Sequence, residues 1–153
     1  MTTTLGINGF GRIGRATLAS INEYARNDVV VSKINAPGPI ETNAHLLRYD
    51  SVHGRFAANV EVKENSLDLG RGPIEVFSSY NAADLDWSGC DVVLECTGVF
   101  TTYDKALTHV KNGAKSVLIS APAKNVDRTV IFGVNEHKIT GKEQIFSNGS
   151  CTT

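Results

Sequence analysis

The sequence predicts a doubly wound α/β fold: a mostly parallel sheet covered by helices on both faces, with a small antiparallel insertion. Two observations carry this expectation. Short β-rich runs alternate with helical patterns along the chain, and several of those runs are apolar on both faces, as strands buried between two helical layers must be. A third is the spacing Gly9-Phe10-Gly11-Arg12-Ile13-Gly14, which falls between the first strand-like run and the first helical pattern.

Residues 5–8 read as a strand. Residues 11–26 read as an amphipathic helix, with Ile13, Leu18, Ile21 and Tyr24 near helical spacing, and residues 29–34 as a second strand, completing one βαβ unit. Residues 56–77 differ. There Val60-Glu61-Val62, Leu67-Asp68-Leu69 and Ile74-Glu75-Val76 alternate apolar and polar residues across turns at 64–66 and 70–73, which predicts an inserted antiparallel meander. Residues 91–96 and 116–120 are compact apolar strands joined by a crossover helix over 103–111 that ends at Asn112-Gly113. Residues 129–134 and 144–147 add two further strands. No repeat, low-complexity tract or long linker divides residues 1–153, so one dinucleotide-binding-type domain is expected.

Composition narrows the partners. Lys plus Arg number 15 against 16 Asp plus Glu, a formal net charge of -1, so nothing draws nucleic acid or an acidic membrane surface to the chain. No run is long and apolar enough to span a bilayer, and the N-terminus lacks the pattern of a secretory signal, which leads to the expectation of a cytoplasmic protein. Cys90, Cys96 and Cys151 are odd in number and match no zinc spacing, so neither a disulfide framework nor a metal site is expected.

The glycine motif gives each glycine a physical task in this context. Gly9 permits a tight turn after the strand, Gly11 lets a pyrophosphate approach the backbone, and Gly14 lets helix and strand pack closely. The helix N-terminus adds free N–H groups and partial positive charge for the phosphates, so the pattern reads as a Rossmann-type turn. A glycine-rich turn that binds nothing is the competing reading. The end of the second strand bears on which dinucleotide binds. A carboxylate expected there accepts the adenosine ribose hydroxyls and repels a 2′-phosphate, yet Ile34-Asn35-Ala36-Pro37-Gly38-Pro39 holds no acid before Glu41. That predicts NADP, with NAD as well, given room beside Ala36 and either Lys33 or Arg12 as the cation. If Glu41 or a backbone group takes the ribose contact, NAD use is retained.

Cys151 is the second piece of chemistry. Ser147-Asn148-Gly149-Ser150 after a strand offers small, capping-competent residues, which predicts Cys151 in the first turn of a helix whose N-terminus favours the thiolate. A cysteine in such a place also reads as an inert core residue, the reading given to Cys90 and Cys96. What sets Cys151 apart is that strand ends on one edge of a doubly wound sheet converge on the bound ligand. His45, His53, His109 and His137 read as surface or packing residues, none placed by sequence to serve as its base.

The stretches Ile7-Asn8-Gly9-Phe10-Gly11-Arg12-Ile13-Gly14-Arg15, Tyr49-Asp50-Ser51-Val52-His53-Gly54-Arg55-Phe56, Glu95-Cys96-Thr97-Gly98-Val99-Phe100, Ser120-Ala121-Pro122 and Ser147-Asn148-Gly149-Ser150-Cys151-Thr152-Thr153 run in order through the chain. With them the sequence resembles the N-terminal, cofactor-binding part of phosphorylating glyceraldehyde-3-phosphate dehydrogenases. The resemblance implies that Phe10, Gly11, Arg12 and Ile13 line the pyrophosphate and adenosine path, Asn35 and Ala36 the adenosine ribose, and Thr97, Gly98 and Phe100 the adenine side. It puts Ser120 near the nicotinamide half and makes Cys151 the nucleophile, with Ser150 and Thr152 at the inorganic phosphate site. In the implied reaction the Cys151 thiolate adds to glyceraldehyde-3-phosphate, the hemithioacetal gives hydride to NADP or NAD, and phosphate releases 1,3-bisphosphoglycerate from the thioester.

Three positions depart from the family. Ala36 stands where NAD-specific members carry Asp, as in the NADP-using branch; Tyr80 replaces a frequent basic residue; Gly149 replaces a usual Ala. The family places its activating His, further phosphate ligands and substrate-binding sheet after the Cys motif, so the catalytic domain is expected to be absent from residues 1–153 and the chain alone inactive. A homotetramer is implied for the full-length protein. An isolated nucleotide-binding module without turnover and an erythrose-4-phosphate dehydrogenase are the alternatives.

Overall fold

A computed structural model describes residues 2–152. Its first unit is β1 (Thr3–Asn8), α1 (Arg12–Glu23) and β2 (Val29–Asn35). There follow α2 (Ile40–Arg48), a hairpin of β3 (Tyr49–Asp50) and β4 (Gly54–Arg55), and the run β5 (Glu61–Lys63), β6 (Ser66–Asp68) and β7 (Pro73–Phe77). The second half holds β8 (Val92–Glu95), α3 (Tyr103–Lys111), β9 (Ser116–Ile119), β10 (Arg128–Thr129) and β11 (Ile145–Ser147). Among the described residues no helix is long and apolar enough to cross a membrane.

One nine-stranded sheet runs in the order β10-β11-β9-β8-β1-β2-β7-β6-β5. Every neighbouring pair from β10 to β7 is parallel, and at the far edge β6 pairs antiparallel with both β7 and β5. Strand alternation divides the core between the two faces. Leu5 and Ile7 of β1 look into the cluster holding Leu18, Leu47 and Leu67, on the side of α1 and α2. On the other face a Cβ at Gly6 would meet the Trp87 ring at 2.7 Å, and Trp87 joins Val93, Ala106, Val117 and Ile145 in the cluster under α3.

The expected antiparallel meander is present as β5, β6 and β7, and β7 also pairs parallel with β2, which joins the meander to the main sheet. Two expectations change. Within α1 only Gly14 and Leu18 are buried, while Ile13 and Tyr24 face solvent, and the helix stops at Glu23. Helix α2 begins directly after its N-cap, Pro39. The strand expected over 129–134 ends at Thr129. Beyond it the Asn135 side chain accepts from the Ile131 N–H (2.7 Å) and donates to the Thr129 carbonyl (3.1 Å), taking the groups a ladder would use. The residues that were to continue the strand, Phe132 and Val134, are left exposed.

Candidate dinucleotide site

The strand order reverses around β1: the chain goes outward through β2 and β7, then returns to β8 on the opposite side. At such a switch point the helices depart in opposite directions and leave a crevice beyond the carboxyl ends of the strands. Those ends are in register here, with Asn8 opposite both Asn35 and Glu95, and Glu95 opposite Ile119. A cleft of about 260 Å³ opens above them, with Asn8 and Asn35 in its floor and Pro37, Tyr80, Thr97 and Phe100 in its walls.

The glycine turn at its edge is shaped for a ligand. Gly9 sits at φ +93°, a left-handed conformation, and its backbone lies so close to the β8 turn that a Cβ would be 2.7 Å from Thr97 Cγ2. Gly14 packs α1 onto that turn, since a Cβ there would stand 2.2 Å from the Gly9 carbonyl oxygen. At Gly11, by contrast, a Cβ would meet nothing within 4 Å, and Gly11 begins α1 without any side chain capping it. Two glycines are thus required by packing and the third keeps open space in front of uncapped helix N–H groups. That is a phosphate cradle a single methyl group would fill, and the residues fit a dinucleotide.

The other expected residues divide into groups. Thr97 and Gly98 are exposed on the turn after β8 and Phe100 is half-buried beside them. Arg12 and Ile13 are exposed at the start of α1, with the Arg12 guanidinium 3.7 Å from Asp50. Phe10 is not brought to the cleft as a side chain; its ring is buried in the core, and its carbonyl accepts from Arg15 Nη1 at 2.8 Å. Ala36 is 1% exposed, its N–H bonded to the Phe77 carbonyl and its own carbonyl to Asn43 Nδ2, so its methyl group does not itself face the cleft that its neighbours Asn35 and Pro37 line. Lys33 is unavailable as a phosphate-binding cation. Its position in mid-strand carries Nζ to Asp86 at 3.0 Å and over the Phe77 ring, where only 14% of the side chain is exposed. Tyr80, which stands in place of a basic residue, is almost fully exposed at the rim.

Ser120 follows β9, its N–H bonded to the Glu95 carbonyl. It also hydrogen-bonds the Cys96 thiol, but burial outweighs that bond and pushes the Cys96 pKa up to about 11. Cys90 is buried and its pKa is likewise raised by desolvation, so both behave as the inert thiols expected. Cys151 alone is exposed. Its loop leaves the sheet at the same carboxyl edge: the Asn148 N–H donates to the Ile119 carbonyl, and the buried Ser147 hydroxyl donates to the Ala121 carbonyl at 2.7 Å. β11 lies two strand spacings from β8, about 10 Å. Ser150 Oγ accepts the Thr152 N–H at 3.1 Å and bonds the Thr152 hydroxyl at 2.8 Å. Cys151 and Thr152 form a turn, where the sequence predicts the first turn of a helix. Thr153 lies outside the described residues.

One cluster went unread in the sequence. Glu95 and His109 are fully buried and bonded to each other at 2.9 Å, with Asn8 Nδ2 on the same carboxylate oxygen at 2.6 Å. Trp87 Nε1 donates to His109 Nδ1 at 3.1 Å. An acid closing an otherwise apolar strand was the available signal, since a buried carboxylate must find donors. Of the remaining histidines, His53 bonds Asp50, His45 packs on Tyr49, and His137 lies in the 3-10 turn Glu136–Lys138.

A glycine cradle beside a cleft at the switch point of a doubly wound sheet defines the class: this is a dinucleotide-binding domain. Residues 3–103 match the family model described as glyceraldehyde 3-phosphate dehydrogenase, NAD binding domain. The chain belongs to the glyceraldehyde-3-phosphate dehydrogenase family, and its cofactor is of the NAD(P) type. Glyceraldehyde-3-phosphate dehydrogenase of Cereibacter sphaeroides is 54% identical over the whole chain, and that of Xanthobacter flavus 53%, the chain covering 46% of each. Glyceraldehyde-3-phosphate dehydrogenase 1 of Schizosaccharomyces pombe is 46% identical over 97% of the chain, which covers 44% of that protein. The chain spans about half the length of the curated relatives it matches.

Proposed function

We propose that this chain supplies the dinucleotide site and the thiol nucleophile of a phosphorylating glyceraldehyde-3-phosphate dehydrogenase, working with the further sequence its relatives possess. The observation that carries the reading is the pairing of the open Gly11 cradle with an exposed Cys151 on the same carboxyl edge of the sheet. Arg12, Ile13 and the N–H groups at the start of α1 hold the pyrophosphate, with Phe10 contributing backbone only. Asn35 with Ala36 border the adenosine ribose, Thr97, Gly98 and Phe100 flank the adenine side, and Ser120 lies toward the nicotinamide. NAD or NADP, when bound, accepts the hydride. Cys151 adds to the aldehyde of glyceraldehyde-3-phosphate as thiolate, and the resulting thioester is opened by inorganic phosphate held in part by Ser150 and Thr152. Covalent attachment divides the oxidation into two accessible steps. The assembled enzyme is a cytoplasmic homotetramer.

The cleft suits both dinucleotides. Its walls present no acid to repel a 2′-phosphate, and with Lys33 tied to Asp86 they present no cation to capture one. The adenosine end therefore discriminates weakly. Steady-state assay of the intact protein with glyceraldehyde-3-phosphate, phosphate and either cofactor tests both statements. Absence of NAD(P) reduction overturns the enzyme reading, and a preference above 100-fold for either cofactor overturns the account of the cleft.

A further inference from the structure

The strand ends around the cleft are tied to one buried carboxylate. Glu95 Oε2 accepts from Asn8 Nδ2 (2.6 Å) and from His109 Nε2 (2.9 Å); Oε1 accepts from the Thr97 N–H (2.8 Å) and from the Thr97 hydroxyl. The indole of Trp87 can only donate, so His109 Nδ1 is an acceptor and the imidazole proton sits on Nε2, aimed at Glu95. The two oxygens of this one side chain thus gather hydrogen bonds from β1, from α3 and from the turn after β8.

The connections continue to both walls of the cleft. On one side the Thr97 hydroxyl accepts the Val99 N–H at 3.1 Å, fixing the turn over 97–99. On the other, Asn8 Oδ1 accepts from Asn35 Nδ2 (2.8 Å), which also donates to the Ser79 carbonyl (2.9 Å), while Asn35 Oδ1 accepts the Ser79 N–H (3.1 Å). An unbroken chain of hydrogen bonds from Ser79 through Asn35, Asn8 and Glu95 to Thr97 thus runs beneath the cleft from wall to wall. Well-packed apolar residues would serve folding at least as well as a buried charge.

We propose that Glu95 is a positioning residue of the dinucleotide site, holding the 97–99 turn and the Asn8 amide at the spacing the nucleotide requires, and that His109 and Trp87 orient it. This rests on the dinucleotide-binding reading above. Glu95→Gln puts an NH₂ group at one of the two oxygen positions, against either the Thr97 N–H or the Asn8 and His109 donors, so at least one partner of the network is lost. The test is calorimetric binding of NAD to the intact protein, with the unfolding temperature of each variant measured alongside. Expected are 10- to 100-fold weaker binding for Glu95→Gln and for Thr97→Val, near-wild-type binding for Thr97→Ser, and a double variant Glu95→Gln/Thr97→Val no weaker than its weaker parent. Additive losses, or wild-type affinity in Glu95→Gln, overturn the proposal while leaving the dinucleotide site standing. A wild-type protein that binds neither NAD nor NADP overturns both. Should Glu95→Gln fail to fold, the emission of Trp87, isolated by difference from a Trp87→Phe variant, decides. AMP titrated into the wild-type protein should change Trp87 emission through Thr97, Glu95 and His109, and an unchanged spectrum at saturation overturns the proposal.

Discussion

Gly11 and Gly14 are three residues apart in one helix start, yet the structure gives their replacement by alanine opposite consequences. At Gly14 the new methyl carbon would lie 2.2 Å from the Gly9 carbonyl oxygen and 3.0 Å from Ile7 Cγ2. Relief requires α1 to withdraw by about 1 Å from a close-packed turn, a cost of about 3 kcal/mol. For a domain of this size that lowers the melting temperature by roughly 6–12 °C. At Gly11 the backbone has φ -74° and ψ -159°, which alanine adopts freely, and no atom lies within 4 Å of the added carbon. Stability should change by less than about 1 kcal/mol. The methyl group nevertheless fills the space through which a pyrophosphate reaches the helix N–H groups. Losing one hydrogen bond to a charged group costs about 1.5–3 kcal/mol, so dinucleotide binding should weaken roughly 10- to 100-fold. Scanning calorimetry and titration calorimetry with NAD on both variants separate the two effects. Wild-type affinity in Gly11→Ala, or a wild-type melting temperature in Gly14→Ala, refutes the assignment of these two glycines.

Further outcomes follow from the same geometry. Ala36→Asp should raise the NAD-to-NADP ratio of kcat/KM by roughly tenfold or more through repulsion of the 2′-phosphate, with some loss of stability because position 36 is buried; an unchanged ratio would mean that other groups set the preference. Because the Cys96 pKa is raised from an ordinary 9.0 to about 11, the folded state holds that proton more tightly than the unfolded chain. Its stabilisation is complete below pH 9 and is lost as pH rises to 11. The stability difference between wild type and Cys96→Ala, from urea unfolding, should therefore shrink by roughly 2–3 kcal/mol across that interval, and a constant difference would contradict it. Iodoacetamide at pH 8 should modify the exposed Cys151 first, with the half-buried Cys96 and the buried Cys90 protected by their raised pKa values; peptide mapping that finds Cys96 labelled first would reverse the ranking.

The sequence by itself determined what is local and periodic. The offsets of Gly9, Gly11 and Gly14 between a strand and a helix, the apolar runs of a buried parallel sheet, and the missing acid at position 36 are all legible in a short window, because each reflects a constraint between near neighbours. Tertiary structure decided which distant groups meet. Lys33 is a candidate cation in the sequence until it is found bonded to Asp86, 53 positions away. Residues 130–134 look like a strand until Asn135 takes their hydrogen bonds. Glu95 finds Asn8 across 87 residues and His109 on a helix packed over the far face of the sheet. A buried polar group must be satisfied, but its own sequence neighbourhood does not say by whom, and the floor of this cleft is built from such pairings.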